Sequence, residues 1–430
     1  MKIISIGNRS NEGVSLAIDN FGSFITSPEE ISKALIFNQI LEGSYAFATI
    51  LDESSAFLTR DNLGSRKLFY FHDVPEKCLY VSNNYIDLTD RFDSQQVFSV
   101  PRGGYLLVDA CGVKRLKNDQ EIINNSAFDI AYVESTLIKF FKFLKYRLNK
   151  KPLVCLSGGL DSTIIAHFAT KEFGPIDVIT GVLQSSHQLG KSNDSDSDSD
   201  SDFYNARLIA NSLNARFHPV FIFKEQMLDE LKNILRAAQD WRDYNVHCAA
   251  LNYYLAKNIK DHFNPKDYVV LTGDFMNEIF ADYTSEFFDG EEFYKQPNFN
   301  QKTRQRFFMN GLDSSDREIG VFESLGFDCI QPYSFVANYY RKLSNEQLSR
   351  LNAKYLFNGK LLPEELLGKV GRSKVRAQVG DSSGGVLGHF ISLGLSQQKL
   401  EDIFCEYFSV DKKFIKQFIE IGSYRCGSFR

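Results

Sequence analysis

The sequence predicts an α/β protein in two parts: a β-rich N-terminal part, then a larger part built on a doubly wound parallel sheet with helical additions. Three observations lead there. Up to about Val113, short apolar runs alternate with polar turns, the texture of an antiparallel sheet or sandwich. From about Asn125, apolar residues recur at helical spacing, with short wholly apolar runs between the helical stretches. Lys151-Pro-Leu-Val-Cys-Leu-Ser-Gly-Gly-Leu-Asp-Ser-Thr163 joins a buried strand to a helix through two glycines. Strand, helix and strand in that order require a parallel sheet with a right-handed crossover. The division is expected near residue 125, giving parts 1–125 and 126–430.

Composition narrows the function classes. A chain of 430 residues supports two or three domains, and a 43% hydrophobic fraction supplies their cores. A net charge of −5 provides no basic field, so no nucleic-acid partner is expected. The seven cysteines are scattered and contain no Cys-x-x-Cys, which suggests neither a disulfide framework nor a zinc site. Met1-Lys-Ile-Ile-Ser-Ile-Gly7 has one Lys and a very short apolar run, so no signal peptide is expected. Without a run long enough for a bilayer, the expected setting is the cytoplasm, with no membrane partner.

In chain order, Tyr45–Leu51 and Ala56–Arg60 read as strands around a turn at Asp52 to Ser55. Lys67–His72, Cys78–Ser82 and Tyr105–Asp109 follow, the last after a Pro101-Arg-Gly-Gly104 turn. Ala127–Leu148 predicts one long helix, with Ile130, Val133, Leu137, Phe140, Phe141 and Leu144 on its apolar face. Asp177–Leu183 is the next buried strand. Ser192–Asp202 alternates Ser and Asp and reads as a solvated loop. Phe203–Ala210 resumes helix, Phe217–Phe223 is a strand, and helices are expected over Glu225–Ala238 and Asn245–Lys260. Trp241 reads as a core anchor and His247 as structural. Asp267–Tyr283 runs from a buried strand into a loop and helix.

The turn at Ser157-Gly158-Gly159 has the makings of an anion site. Its glycines let backbone N–H groups curl around a phosphate, and the dipole of the helix from Leu160 adds attraction. Ser157 and Ser162 can donate hydroxyls, and Asp161 can hold the Mg²⁺ that accompanies a nucleotide polyphosphate. No Gly-Lys-[Ser/Thr] follows, so this is not the Walker pattern.

Ser157-Gly-Gly-Leu-Asp-Ser162 resembles the pyrophosphate loop of the ATP pyrophosphatase group, whose members split ATP between the α- and β-phosphates. The N-terminal part carries a second resemblance in Gly43-Ser-Tyr-Ala-Phe-Ala48, Leu58-Thr-Arg-Asp-Asn-Leu-Gly64, Leu68-Phe-Tyr70 and Pro101–Tyr105. Those segments look like the second half of the glutaminase domain of asparagine synthetases. By that resemblance residues 1–125 are an Ntn-hydrolase-like remnant. That family uses an uncovered N-terminal cysteine as nucleophile, whereas position 2 here is Lys2. The Arg-Gly and Asn-Gly-Glu motifs are also absent before Gly43. The implication is a domain without glutamine hydrolysis, structural or protein-binding in role.

Leu271-Thr-Gly-Asp-Phe-Met-Asn-Glu-Ile-Phe-Ala-Asp-Tyr283 is similar to the same family's Leu-Ser-Gly-Asp-Gly-x-Asp-Glu-Leu-Phe-x-Gly-Tyr. Gly273, Asp274 and Glu278 match it, while Asn277 replaces a carboxylate used for Mg²⁺–pyrophosphate. The β-lactam-forming branch has a tyrosine where Asp274 stands, so its base dyad is not expected. Gln331-Pro-Tyr333 resembles the family's Arg-x-Pro-Phe-Leu-Asp, with Asp316, Arg317, Glu318 and Glu323 before it as pocket candidates. Arg372-Ser-Lys374 resembles an Arg-x-Lys turn whose lysine meets the phosphates, and Lys369 competes for that role.

The resemblance spans residues 40–110 loosely and 130–380 more firmly. It implies an ATP-dependent, AMP-forming amide ligase that adenylates a small-molecule or peptide carboxylate and passes the acyl group to an amine, with a homodimer as the expected assembly. Ser157, Gly158, Gly159, Leu160, Asp161, Ser162 and Gly273 would hold ATP, with Val182 and Leu183 beside the adenine. Asp161 with Asp274 or Asn277 would hold Mg²⁺, and Lys374, Glu278 and Asp274 would carry catalysis. Two other readings stay open. Adenylation for a non-amine nucleophile, as in tRNA-thiolating pyrophosphatases, lacks a Cys pair and a basic field here. A non-catalytic scaffold is the second, and Asn277 argues for it.

Overall fold

The computed structural model describes residues 1–6, 16–18, 24–37, 39, 41–61, 63–100, 103–116, 130–184, 202–276, 286–288, 290–293, 317–336, 360–370 and 385–415. The N-terminal part contains β1 (Lys2–Ser5), β2 (Leu16–Ile18), β3 (Phe24–Ile25), α1 (Pro28–Ile36), β4 (Glu42–Ser44), β5 (Ala46–Asp52) and β6 (Ser55–Arg60). It continues with β7 (Phe69–Asp73), β8 (Cys78–Ser82), α2 (Tyr85–Thr89), β9 (Phe98–Ser99), β10 (Tyr105–Asp109) and β11 (Gly112–Leu116). One sheet runs β11-β10-β6-β5, a second β1-β8-β7-β9, and a third, smaller one β3-β2-β4. The two larger sheets share a core of Ala56, Leu58, Leu106 and Val108 with Tyr70, Leu79 and Val81, which makes a sandwich. Phe47, Phe57 and Tyr105 face the other way and are covered by Ile31, Ala34 and Leu35 of α1. That helix starts cleanly because Ser27 caps it, Pro28 follows, and Glu29 and Glu30 oppose its dipole.

The expected N-terminal strands all form, within one or two residues of their predicted ends. The sheets are not wholly antiparallel, however, because β1 pairs parallel to β8. That pairing joins residues 76 apart (Lys2 with Cys78), and no local pattern announces it.

The second part contains α3 (Ile130–Phe143), β12 (Lys151–Cys155), α4 (Leu160–Phe173), β13 (Asp177–Gln184), α5 (Asp202–Ser212), β14 (Arg216–Phe223), α6 (Leu231–Ala238) and α7 (Asp243–Ile259). Then come β15 (Tyr268–Leu271), the hairpin of β16 (Glu286–Phe288) and β17 (Glu291–Phe293), a helix over Arg317–Ser324, and β18 (Asp328–Ile330). Five strands form one parallel sheet in the order β14-β13-β12-β15-β18. Side chains alternate between its faces. Val154, Val178, Leu271 and Ile330 pack in the core with α3, α4 and α5. Leu153, Ile179, Val270 and Cys329 pack in the core with α6, α7 and the Arg317–Ser324 helix. From β12 the chain winds outward through β13 to β14, then returns to the other side of β12 for β15 and β18. The winding direction therefore reverses between β12 and β15, which is where open α/β sheets hold their ligands.

Two helices differ from expectation. The long helix changes to a π turn over Leu144–Leu148 and stops at Asn149, whose φ is 52°. The stretch Glu225–Ala238 is a 3₁₀ turn, Lys224–Leu228, followed by α6. There the Gln226 carbonyl accepts from the Asp229 N–H at 3.2 Å and from the Tyr254 hydroxyl, so the α-helical ladder does not form across it. Trp241 is a core anchor as expected, 5.6 Å from Phe404 between ring centroids. The expected division near residue 125 lies outside the described residues. No helix among the described residues is long and apolar enough to cross a membrane.

Candidate functional site

The first loop leaves the sheet one residue after β12, where the Leu156 N–H still donates to Ile179 O at 2.9 Å. Gly158 then takes a left-handed φ of +76°. A Cβ there would stand 2.9 Å from Asn205 Cβ and 3.0 Å from Ala206 N, so the first turns of α5 close directly on the loop. Gly159 caps α4 from an extended conformation without a side-chain hydrogen bond. The first-turn N–H groups of α4 are thus left with the polarity that binds anions. Ser162 Oγ accepts from Ser157 N at 3.1 Å, lies 3.1 Å from Ser157 Oγ and donates to Gly159 O at 3.3 Å. Those bonds fold Ser157–Ser162 into one curl. Leu160 is half-buried against the core below, and Asp161 follows it in the first turn of α4.

The second loop leaves β15 at Leu271. A Cβ on Gly273 would stand 2.8 Å from Ser162 N and 3.0 Å from the Asp161 carbonyl carbon. Only glycine lets this backbone lie on the first turn of α4. Asp274, half-buried, comes next. Burial first, and the Asp274 carboxylate second, push the neighbouring Cys155 thiol up, which keeps it protonated and unreactive. Phe275 is 1% exposed and holds a left-handed φ of 78°, unusual for a bulky residue. The two constellations, 110 and more residues apart in sequence, therefore meet at the switch point of the sheet. Val182 and Leu183 lie half-buried at the carboxyl end of β13, on the same edge of the sheet.

Asn277, Glu278, Asp316 and Lys374 lie outside the described residues. Lys369 is described, and its placement argues against it. Its ammonium donates to Ser212 Oγ, at the last residue of α5. The loop touches α5 at Asn205 and Ala206, so Lys369 is anchored about 9 Å further along that helix at ~1.5 Å per residue. Glu323 pairs with Arg66 of the N-terminal part.

Do these residues suit a nucleotide with Mg²⁺? The described residues contain no group of three or more His, Cys, Asp or Glu able to hold a metal alone. Mg²⁺ usually takes one or two protein carboxylates and draws its other oxygens from phosphate and water. Asp161 and Asp274, beside a curl of N–H and hydroxyl donors, fit that demand.

Sequence reading named Arg317 and Glu318 but missed the buried polar network that joins them to Asn245, Asp240 and Arg242 at the start of α7. Burial would raise Asp240, but the Arg242 charge and hydrogen bonds at 3.0 and 3.1 Å hold its carboxyl below the ordinary value. Arg317 donates to Asn245 Oδ1 at 2.9 Å and pairs with Glu318. Glu318 Oε2 and Thr272 Oγ1 are buried without a hydrogen-bond partner among the described residues. The charges flanking Trp241 were the available signal. His247 is 1% exposed, and burial pushes its imidazole down to about 3. It sits edge-on to Phe390 at 4.9 Å, a structural role as expected.

The family described as asparagine synthase matches residues 147–377, more than half of the chain and both loops. An NMN synthetase from Francisella tularensis is similar in structure at 15% identity and a TM-score of 0.25, covering 58% of this chain and 99% of its own. An NH3-dependent NAD synthetase from Campylobacter jejuni subsp. jejuni, in complex with nitrate ion, gives 13% identity and a TM-score of 0.27, with coverages of 68% and 92%. No curated protein matches the chain.

Proposed function

The chain belongs to the asparagine synthase family, and from that premise we propose that it is an ATP-dependent, AMP-forming amide ligase that works without glutamine hydrolysis. One observation carries the reading: Gly273, next to Asp274, is packed on the first turn of α4, beside the Ser157–Ser162 curl. The substrate carboxylate attacks the α-phosphorus, pyrophosphate leaves, and an acyl-adenylate remains. An amine then attacks the acyl carbon and AMP departs. Ser157, Ser162 and the N–H groups of the curl hold the leaving pyrophosphate, with the helix dipole of α4 behind them. Val182 and Leu183 flank the adenine, and Glu278 orients the reactants. Lys374 sets its fixed charge against the negative charge that builds in both transition states. Mg²⁺ held by Asp161 and Asp274 would supply charge neutralisation for the phosphates. Asn277 offers it a neutral amide oxygen, so affinity for the ion is lower than with a third carboxylate.

Residues 1–125 form the non-catalytic part in this reading. Exchange of labelled pyrophosphate into ATP, screened over candidate carboxylates, tests the proposal. Exchange with a subset of acids is expected, as is AMP release with ammonium or an amine but not with glutamine. Absence of both ATP binding and turnover in the presence of Mg²⁺ would sink it. The second reading, a non-catalytic scaffold, is favoured by Asn277 and predicts that outcome.

A further inference from the structure

We propose that the N-terminal part braces the nucleotide site, acting through β18 and Tyr333. The inference rests on the ligase reading for its ligand, though not for its geometry. Tyr333 is completely buried, and its hydroxyl donates to the Asp161 carbonyl at 2.8 Å, across 172 residues of sequence. A rigid phenol thereby holds the first turn of α4 at the residue whose carboxylate is assigned to the metal.

Tyr333 rides on the short turn Pro332–Phe335 that follows β18, and that turn is held from the N-terminal part. Phe24 of β3 packs edge-on to Phe335, with centroids 5.4 Å apart, and stacks on Phe143 at 4.8 Å. Arg66 donates to Cys329 O of β18 at 3.1 Å and to Ser44 Oγ of β4 at 3.1 Å, while pairing with Glu323. Arg66 is itself set by a buried loop. Asp61 accepts from the Leu63 and Ser65 N–H groups, each at 3.0 Å, and Ser65 Oγ donates to Asp61 at 2.6 Å. Arg60 donates to Val100 O and Gly64 O, each at 3.3 Å, closing that loop. A contiguous path of buried polar and aromatic contacts therefore runs from the sandwich through β18 to Asp161. Metal carboxylates tolerate only about 0.5 Å of misplacement, so such a brace affects binding more than global stability.

The test is a double-mutant cycle on the full chain. Affinity for α,β-methylene-ATP with Mg²⁺ is measured by calorimetry for wild type, Tyr333→Phe, Phe24→Leu and the double variant. Hydrogen exchange is followed without ligand at Thr163, whose N–H closes the first turn of α4 on Gly159 O at 3.1 Å, and at the amides that follow it. Tyr333→Phe is expected to weaken binding roughly three- to tenfold, because the ligand must then re-order a first turn that the hydroxyl no longer holds, with a modest fall in the urea midpoint from the one lost hydrogen bond. Phe24→Leu should weaken binding in wild type but add nothing in the Tyr333→Phe background. Both should speed exchange at the first turn of α4. Tyr268→Phe, which removes a hydroxyl bonded to Asp177 at the other end of the sheet, is the control and should leave affinity unchanged. Equal affinity for Tyr333→Phe, or effects of Tyr333→Phe and Phe24→Leu that multiply independently, overturns the brace. If wild type binds no nucleotide, the ligase reading fails, and unchanged exchange at α4 still refutes the brace separately. Should Phe24→Leu fail to fold, Arg66→Lys takes its place in the cycle.

Discussion

Gly158 combines a left-handed backbone with the α5 backbone 3.0 Å from the site of any added Cβ. Gly158→Ala must therefore strain the loop and displace α5, at a cost of roughly 1–3 kcal/mol. Pyrophosphate exchange should fall well beyond that stability loss, because the displaced loop is the one proposed to hold the phosphates. Phe275 offers a sharper check. Its left-handed φ costs about 1–2 kcal/mol, while burying its ring is worth roughly 1.5–3 kcal/mol, so the side chain holds its own strained turn. Phe275→Ala keeps the strain and loses the anchor, whereas Phe275→Gly relieves the strain. The glycine variant should be the more stable of the two by about 1 kcal/mol in urea unfolding, reversing the usual order. For the lysines, Lys374→Ala should lower kcat by roughly 10²–10³, the scale of a lost charge at a developing oxyanion. Lys369→Ala, bonded to Ser212 away from the loop, should leave kcat nearly unchanged. A large loss with Lys369→Ala would reverse the assignment.

Among the elements, α7 carries a pH dependence. Burial holds His247 near 3 in the folded chain, against about 6.5 unfolded. As pH falls below 6.5 the unfolded state takes up a proton that the folded state refuses, so stability is lost in that direction. The slope from this one group approaches about 1.4 kcal/mol per pH unit. His167, pushed down to about 4 by burial and then by Lys171, has the same sign. His247→Gln should narrow the stability difference between pH 7.5 and pH 5.5 by about 1 kcal/mol in urea unfolding. No narrowing would mean that His247 charges without cost. The loops after β12 and β15 illustrate what a motif alone leaves open. The Ser157–Ser162 curl was legible because strand, glycines and helix are consecutive. The role of Gly273 was legible only as a motif match, since its reason, contact with Ser162 N at 2.8 Å, depends on which strands are neighbours.

For the whole molecule, the two parts are joined by groups with little access to solvent. Lys67 donates to Ala238 O at 2.8 Å, and Gln239 bonds Tyr85 N at 2.7 Å and Asn83 O at 2.9 Å. The Arg66–Glu323 pair is 5% and 11% exposed. Arg66→Met would leave Glu323 without this partner and should cost roughly 3–5 kcal/mol, most of it recovered in the double variant with Glu323→Leu. Urea unfolding of both variants measures this. Failure of the second substitution to restore stability would show that the hydrogen bonds of Arg66, not its charge, hold the parts together. Sequence alone determined the two-part α/β plan and the glycine curl between β12 and α4, because each is written in consecutive residues and their periodicity. Tertiary structure decided that Gly273 lies on the backbone of Asp161 and Ser162, that Lys369 bonds Ser212 at the far end of α5, that Tyr333 bonds the Asp161 carbonyl, and that Arg66 bonds β18. Those facts depend on strand order and on contacts between residues more than a hundred positions apart, which no local pattern encodes.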